Sequence, residues 1–428
     1  MPATLAIYCL ILPFWSLPIL PGTFKPIAVL FAAFISVKFF ANLRTRVSPE
    51  DLLMLGYLIY ASALTSIFAI FAEIPIAVDK ISIFLIGFLA FFGVREIFGR
   101  ANPNQITSAM TWSAIILLPF FIIETLALLK LIPEVWKIFL NQIFNGKGST
   151  RIVLTAGEPS WAGIVFLMLF PFCYHRQIIT NSGLDRLLFV FICVGFFVSF
   201  SLSAFFTAFI AATLFAIIQG KLLGYFKVLV VSISFLTLFL FVIFNMFEES
   251  YYFSSRLFKI SGLIARGDLN LESFMAVDGS VLIRFSYPII AFEIFVNNPI
   301  GSGVGSYGYL FSEYLTNNSM NALTNNFYIM SHVVNQNADA RNFILQIAND
   351  TGIVGLFLLT TFYWRIYKRI SNMAKKNEVY DHNYVRLLQM GFCIMVGCMF
   401  QFGTYLFPLY SLIPALVIAY DDRYRKIS

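Results

Sequence analysis

The chain has 428 residues, of which 59% are hydrophobic and only 12% charged, with a mean hydropathy of +0.81 and a formal net charge of +7. Soluble domains carry about 25% charged residues, so this composition excludes a domain covered by water on all sides. The positive charge does not imply nucleic acid, because the Lys and Arg residues gather at the ends of apolar runs, where membrane topology accounts for them.

A helix needs about 20 mainly apolar residues to cross a bilayer. The first apolar run lacks a basic leader and a clear cleavage site, so it is expected to remain as a span. Spans are predicted at 4–22, 26–41, 51–72, 76–98, 106–131 and 159–179. Six more follow at 186–200, 203–219, 222–247, 352–370, 385–403 and 404–420. Segments such as IFLIGFLAFFGV at 83–94 lack the alternation of a barrel strand, which leaves helices. The seventh and eighth spans are short, and a single broken or re-entrant unit is the alternative reading of that pair. The fold class is therefore an all-α polytopic membrane protein of about twelve transmembrane helices. Residues 1–247 form a bundle of about nine spans with an external loop at 132–158. Residues 248–351 form a large external loop, and 352–428 hold the last spans and the tail. An inside N-terminus puts more than half of the 29 Lys and Arg residues on cytoplasmic loops, with both chain ends cytoplasmic.

Cys9, Cys173, Cys193, Cys393 and Cys398 all lie in or beside apolar stretches and read as small packing residues, not disulfide partners. The 50 Phe residues read as interhelical and lipid-facing packing. Glu124 lies inside the fifth span, where a carboxylate costs about 2–3 kcal/mol. It is expected to find a partner or a wet cavity. The apolar piece at 285–295 is too short to span and is expected to lie on the membrane surface or pack over the bundle.

Five arginines fall in the two external loops: Arg151, Arg256, Arg266, Arg284 and Arg341. Guanidinium groups bind phosphate bidentately and stay charged, so arginines against the positive-inside trend are candidates for gripping an anionic headgroup. The competing reading is a set of solvated or locally paired loop charges. In TAGEPSWAG at 155–163, Glu158 precedes Pro159 at a helix start. It is either a capping carboxylate or one facing an external cavity to orient or deprotonate a hydroxyl. NNPIGSGVGSYGYLF at 297–311 lacks the Lys of a P-loop and reads as a tight turn that lets backbone approach membrane or substrate. Arg341 and Asn342 open the segment RNFILQIANDTGIVGL that enters the tenth span, and His332 lies just upstream. No carboxylate cluster or Cys/His spacing suggests a metal, and no cofactor is implied.

These features together resemble the O-antigen polymerase and ligase superfamily, more specifically its Wzy-type polymerases. The resemblance rests on the span layout, the GEPS element at 157–160, Arg284 upstream of NNPIGSGVG, and RNFILQIANDTGIVGL at 341–356. Some such polymerases carry Gly eleven positions after an Arg in each loop. Arg256 with Gly267 matches, whereas Arg151 meets Ala162 with Gly163 one residue late. Related ligases place His before Asn at the entry to the span after the large loop, and here Arg341 stands there. The resemblance implies a GT-C-like enzyme in a bacterial inner membrane. It would polymerise undecaprenyl-pyrophosphate-linked repeat units at the periplasmic face, by metal-independent inverting glycosyl transfer. Both donor and acceptor would be lipid-linked glycans, and a chain-length regulator is a possible protein partner. Glu158, Arg284 and Arg341 would be catalytic, with Arg151, Arg256, Asn342 and His332 binding substrate. The alternatives are an O-antigen ligase acting on the lipid A core and a flippase or transporter with no bond chemistry. A visible internal repeat and more intramembrane charges than Glu124 would favour the transporter.

Overall fold

A computed structural model describes residues 2–16, 26–42, 47–71, 76–144, 152–199, 201–221, 224, 279–317, 327–336, 338–376 and 378–425. The helices in chain order begin with α1 (Ala3–Ile11), α2 (Ile27–Ala41), α3 (Pro49–Phe71), α4 (Val78–Gly99) and α5 (Pro103–Leu128). Next come α6 (Val135–Ile143), a 3-10 turn at Leu154–Ala156, α7 (Pro159–Thr180), α8 (Gly183–Val198) and α9 (Leu202–Ile218). The remainder are α10 (Gly279–Asn297), α11 (Tyr307–Asn317), α12 (Phe327–Val334), α13 (Phe343–Lys375), α14 (His382–Met399) and α15 (Pro408–Arg425).

Five of these, α3, α4, α5, α7 and α13, are long and apolar enough to cross a membrane. The first eight and last three expected spans all fall on helices. Of the ninth, only residue 224 is described. The protein is an all-α polytopic membrane protein. One expectation changes and one alternative falls. The first helix stops at Ile11, because Pro13 restricts the residue before it and lacks an N–H to continue the ladder. The short α8 and α9 are separate helices: α8 packs along α7, while α9 packs mainly along α14.

Helix starts follow local chemistry. Asn102 and Gln105 form a reciprocal capping box with Pro103 at the first turn of α5. Ser182, Ser201 and Asp381 accept backbone N–H groups at the starts of α8, α9 and α14. The abundant phenylalanines serve both expected purposes. Phe84, Phe88, Phe91, Phe92 and Phe98 line the buried side of α4, whereas Phe34 and Phe71 are 76% and 80% exposed. The five cysteines are free thiols, all buried except the half-buried Cys193.

The chain alternation groups the helix ends into two poles. At one pole, the start of α3 meets the ends of α4, α13 and α15. Arg95 contacts Asp51 at 2.8 Å and Asp422 at 3.1 Å. Arg369 contacts Glu50 at 2.6 Å, Asp421 at 2.7 Å and Asp422 at 3.0 Å. These basic residues, expected as topological charges, are built into an ion-pair network in which Arg95 and Arg369 are buried.

The opposite pole gathers the ends of α1 and α3, the starts of α4, α7 and α13, and the α14–α15 loop. Over it sit α10, α11 and α12, which share a small apolar core of Tyr287, Ile290, Ile294, Phe311, Leu315 and Ile329. The piece at 285–295 lies within α10. It packs over the start of α13, where Asn349 Nδ2 donates to the Ala291 carbonyl at 2.8 Å.

Candidate active site

The tenth span is broken where the glycine-rich loop meets it. Gly352 interrupts α13 with φ +65° and non-helical geometry. The break exposes carbonyls that a continuous helix would satisfy. The loop supplies donors: Ser302 N–H reaches the Asn349 carbonyl at 2.9 Å, and Gly303 N–H reaches the Asp350 carbonyl at 3.0 Å. In return, Ile353 N–H donates to the Pro299 carbonyl at 2.9 Å. Gly301, Gly303 and Gly305 have φ of +88°, +87° and +90°, a region in which side chains are strained. The turn itself matches the sequence expectation, but its backbone packs against α13, where membrane or substrate was expected.

Just before α13, Asp339 and Arg341 form a tight turn. Arg341 has φ +50°, rare for a residue with a side chain. The turn is held by Arg341 N–H donating to Asp339 Oδ1 at 2.9 Å, with Arg341 Nε 3.3 Å from the same oxygen. Asn342 then caps α13 through its side-chain oxygen, which accepts Leu345 N–H at 3.1 Å. Burial raises the affinity of Asp339 for a proton, but Arg341 first and then Lys80 outweigh it and hold the carboxyl below its ordinary value. His332 adds to the same field.

Beneath this turn is a polar cavity of about 70 Å³ whose lining includes Lys80, Tyr307, Asp339, Gln346, Asp350 and Tyr405. Asp350 is 1% exposed. Its Oδ2 accepts from Gln346 Nε2 at 3.0 Å and from the Tyr405 hydroxyl, while Oδ1 has no hydrogen-bond partner among the described residues. Burial, reinforced by Asp339, pushes the Tyr307 phenol well above its ordinary value and keeps it protonated. A larger cavity of about 400 Å³ lies between α7, α8, α9 and α14. It is lined by apolar side chains with Arg386, and so offers little chemistry.

The other expected site residues are distributed around this mouth. His332 Nδ1 shares a 2.9 Å hydrogen bond with the Tyr287 hydroxyl. Arg284 is half-buried on α10, three residues before Tyr287 and so on a neighbouring face. Glu158 occupies the N-cap position of α7 in extended geometry, but its carboxylate makes no capping hydrogen bond. One turn on, Trp161 packs against Phe402 at 4.6 Å between ring centroids. The next residue, Gly403, backs the Asp339–Arg341 turn: a Cβ there would lie 3.1 Å from Arg341 N. Glu158 and Arg341 thus flank one loop from two sides. Arg151, Arg256 and Arg266 lie outside the described residues.

Glu124 finds its partner in the chain that leads to Glu158. Its fully buried carboxylate accepts Val153 N–H at 2.7 Å and Leu154 N–H at 3.0 Å. Thr155 Oγ1 donates to the Pro13 carbonyl at 2.5 Å, tying the same strand to the end of α1. Sequence reasoning did not single out Lys80, Asp339, Asp350 or Tyr405. Asp350 fell two residues before the expected tenth span, so the cost of a carboxylate inside a span, which singled out Glu124, did not reach it.

Fold and site together define a polytopic α-helical membrane protein whose external elements close over a polar cavity at one pole. Residues 187–360 match the family described as O-Antigen ligase, a match consistent with the O-antigen polymerase and ligase superfamily. The match covers about two-fifths of the chain and includes the glycine loop, the Asp339–Arg341 turn and Asp350. No curated protein matches the chain. Polymerase- or ligase-type glycan transfer is the level of function that this match supports.

Proposed function

We propose that the protein polymerises undecaprenyl-pyrophosphate-linked oligosaccharide repeat units at the periplasmic face of a bacterial inner membrane, with both chain ends cytoplasmic. The observation that carries this reading is Arg341. It stands where related ligases place a histidine, and its left-handed turn sets a guanidinium at the rim of the polar cavity. The leaving group is a pyrophosphate whose charge grows as the glycosidic C–O bond breaks. Guanidinium groups fixed before the reaction stabilise that charge without reorganisation. His332 of α12 acts in the field at Asp339, and Arg284, Arg151 and Arg256 are proposed to complete the anion-binding set. Glu158, on the far side of the 402–405 loop, is proposed to orient the sugar. The reaction requires no metal, because arginines take the role a cation would have. A chain-length regulator is a proposed protein partner.

The ligase reading is favoured by one observation, the description of the matching family. Deleting the gene separates the two. Surface lipopolysaccharide carrying a single repeat unit on its core is the expected result for a polymerase. A core with no repeat attached would overturn the proposal in favour of a ligase.

A further inference from the structure

Glycosyl transfer needs a place for the attacking hydroxyl and an acceptor for its proton, and the arginines supply neither. The cavity below Arg341 supplies both. Its 70 Å³ holds about two waters, at about 30 Å³ each. That is too small for a whole sugar ring and suited to one hydroxyl edge of it. Two carboxylates line it. Asp339 is already neutralised by Arg341 and held below its ordinary proton affinity, which makes it a poor base. Asp350 has no ion-pair contact of that kind among the described residues. Gln346 and Tyr405 both occupy its Oδ2, which fixes the carboxylate plane and leaves Oδ1 as an unfilled acceptor in a side chain that is 1% exposed. An acceptor atom this deep is costly to leave unsatisfied unless a ligand group meets it.

From this geometry we infer that Asp350 is the general base of the reaction, on the reading of the site as a glycosyl transferase. The acceptor sugar hydroxyl enters the cavity and donates its hydrogen bond to Asp350 Oδ1. As its oxygen attacks the anomeric carbon of the donor, the O–H proton passes to Asp350 and the new C–O bond forms. The C–O bond to the pyrophosphate breaks on the opposite face, its electron pair leaving with the phosphate oxygen at the Arg341 side. Configuration inverts, and Asp350 later returns its proton to solvent or to the released pyrophosphate. Tyr405 and Gln346 are positioning residues, because they act by holding the carboxylate.

The experiment uses the full-length protein in lipid nanodiscs with synthetic lipid-linked repeat units as donor and acceptor. Initial rates are measured across pH for wild type, Asp350→Asn, Asp350→Glu and Tyr405→Phe. General base catalysis contributes about a hundredfold or more. Asp350→Asn should therefore lower kcat about a hundredfold, leave KM for the acceptor within about twofold, and flatten the acid limb of the pH profile. Asp350→Glu should recover part of the rate and the acid limb. Tyr405→Phe should lose less than tenfold and keep that limb. The groups facing Asp350 that shape the profile are Lys80 on α4, Tyr57 on α3, Tyr307 on α11, Asp339 and Tyr405. Asp350→Asn within about threefold of wild type would overturn the assignment. So would a Tyr405→Phe loss as deep as that of Asp350→Asn, since both would then only be holding the fold. If wild type transfers no glycan to any acceptor, the transferase reading falls and the base assignment with it. An active wild type with an active Asp350→Asn variant removes the base assignment alone.

Discussion

At the scale of single residues, the mouth is organised by side chains that serve the backbone as much as a substrate. Asp339 creates the turn that aims Arg341, and its depressed proton affinity has a definite linkage consequence. A folded-state value below the unfolded one, about 3.9 for Asp, contributes stability that is complete above that pH. The contribution disappears as pH falls through the lower folded value. Stability of the mouth should thus be flat from pH 7 to 5 and decline below about pH 4, and Asp339→Asn should remove that part of the decline. Thermal unfolding in detergent across pH measures it. Arg341 separates geometry from charge. If it grips a pyrophosphate bidentately, Arg341→Lys should lose about a hundredfold in rate, nearly as much as Arg341→Ala, corresponding to about 3 kcal/mol. Normal polymer length in cells with Arg341→Lys at equal protein level would remove Arg341 from the anion site, as expected of a solvated charge. Glu124 belongs to the same logic. Glu124→Ala strands two buried N–H groups, each worth about 1–3 kcal/mol, and should lower the thermal midpoint more than Glu124→Gln does.

At the scale of elements, the break in α13 and the glycine loop are one structure. Loop donors satisfy the Asn349 and Asp350 carbonyls freed by the break, so each element holds the other in an otherwise unfavourable conformation, with Tyr60 and Thr65 of α3 bonding the Thr351 carbonyl and Val304 N–H beside them. Gly352 cannot take a side chain: its φ is +65°, and a Cβ would run into the Ile300 carbonyl. Gly352→Ala should therefore destabilise the fold and abolish polymer. Gly56→Ala provides the contrast, because nothing lies within 4 Å of a Cβ at that position of α3. Removing a helical glycine there should leave the midpoint unchanged or raise it by up to about 1 kcal/mol equivalent. Equal effects from the two alanines would mean that the α13 break is not the constraint described.

At the scale of the whole molecule, two poles of opposite design are held apart by the spans. One is closed by paired charges around Arg95 and Arg369; the other is open to a polar cavity. Arg369 joins α13 to α3 and α15, so Arg369→Met would leave Asp421 buried without its cation and Glu50 with Arg365 alone, 2.9 Å away. Breaking such a group costs about 3–5 kcal/mol, and a correspondingly lower unfolding midpoint is expected. Orientation is checked by labelling. A cysteine at Asn298, exposed beside the mouth, should react with an impermeant thiol reagent from the periplasm, and one at Lys375 should not. The reverse pattern would invert the assignment of both poles.

The membrane class, the helical fold, most of the span positions and the Arg341–Asn342 entry to the tenth span are legible in the amino-acid order. These depend on local quantities: runs of apolar residues, prolines and caps at helix ends, and the placement of cations. The amino-acid order also marked Glu124 as needing a partner and the glycine turn as a place of close backbone approach. Which partners they take was decided only by the tertiary structure, because Glu124 meets Val153 and the turn meets α13 across contacts that no local pattern encodes. The same holds for the cavity. Lys80, Asp339, Asp350 and Tyr405 come from three separate parts of the chain, and none forms a motif with the others. Folding alone brings the buried Asp350 carboxylate beneath the Arg341 turn, since a cavity is a property of the packing between helices and not of any one of them.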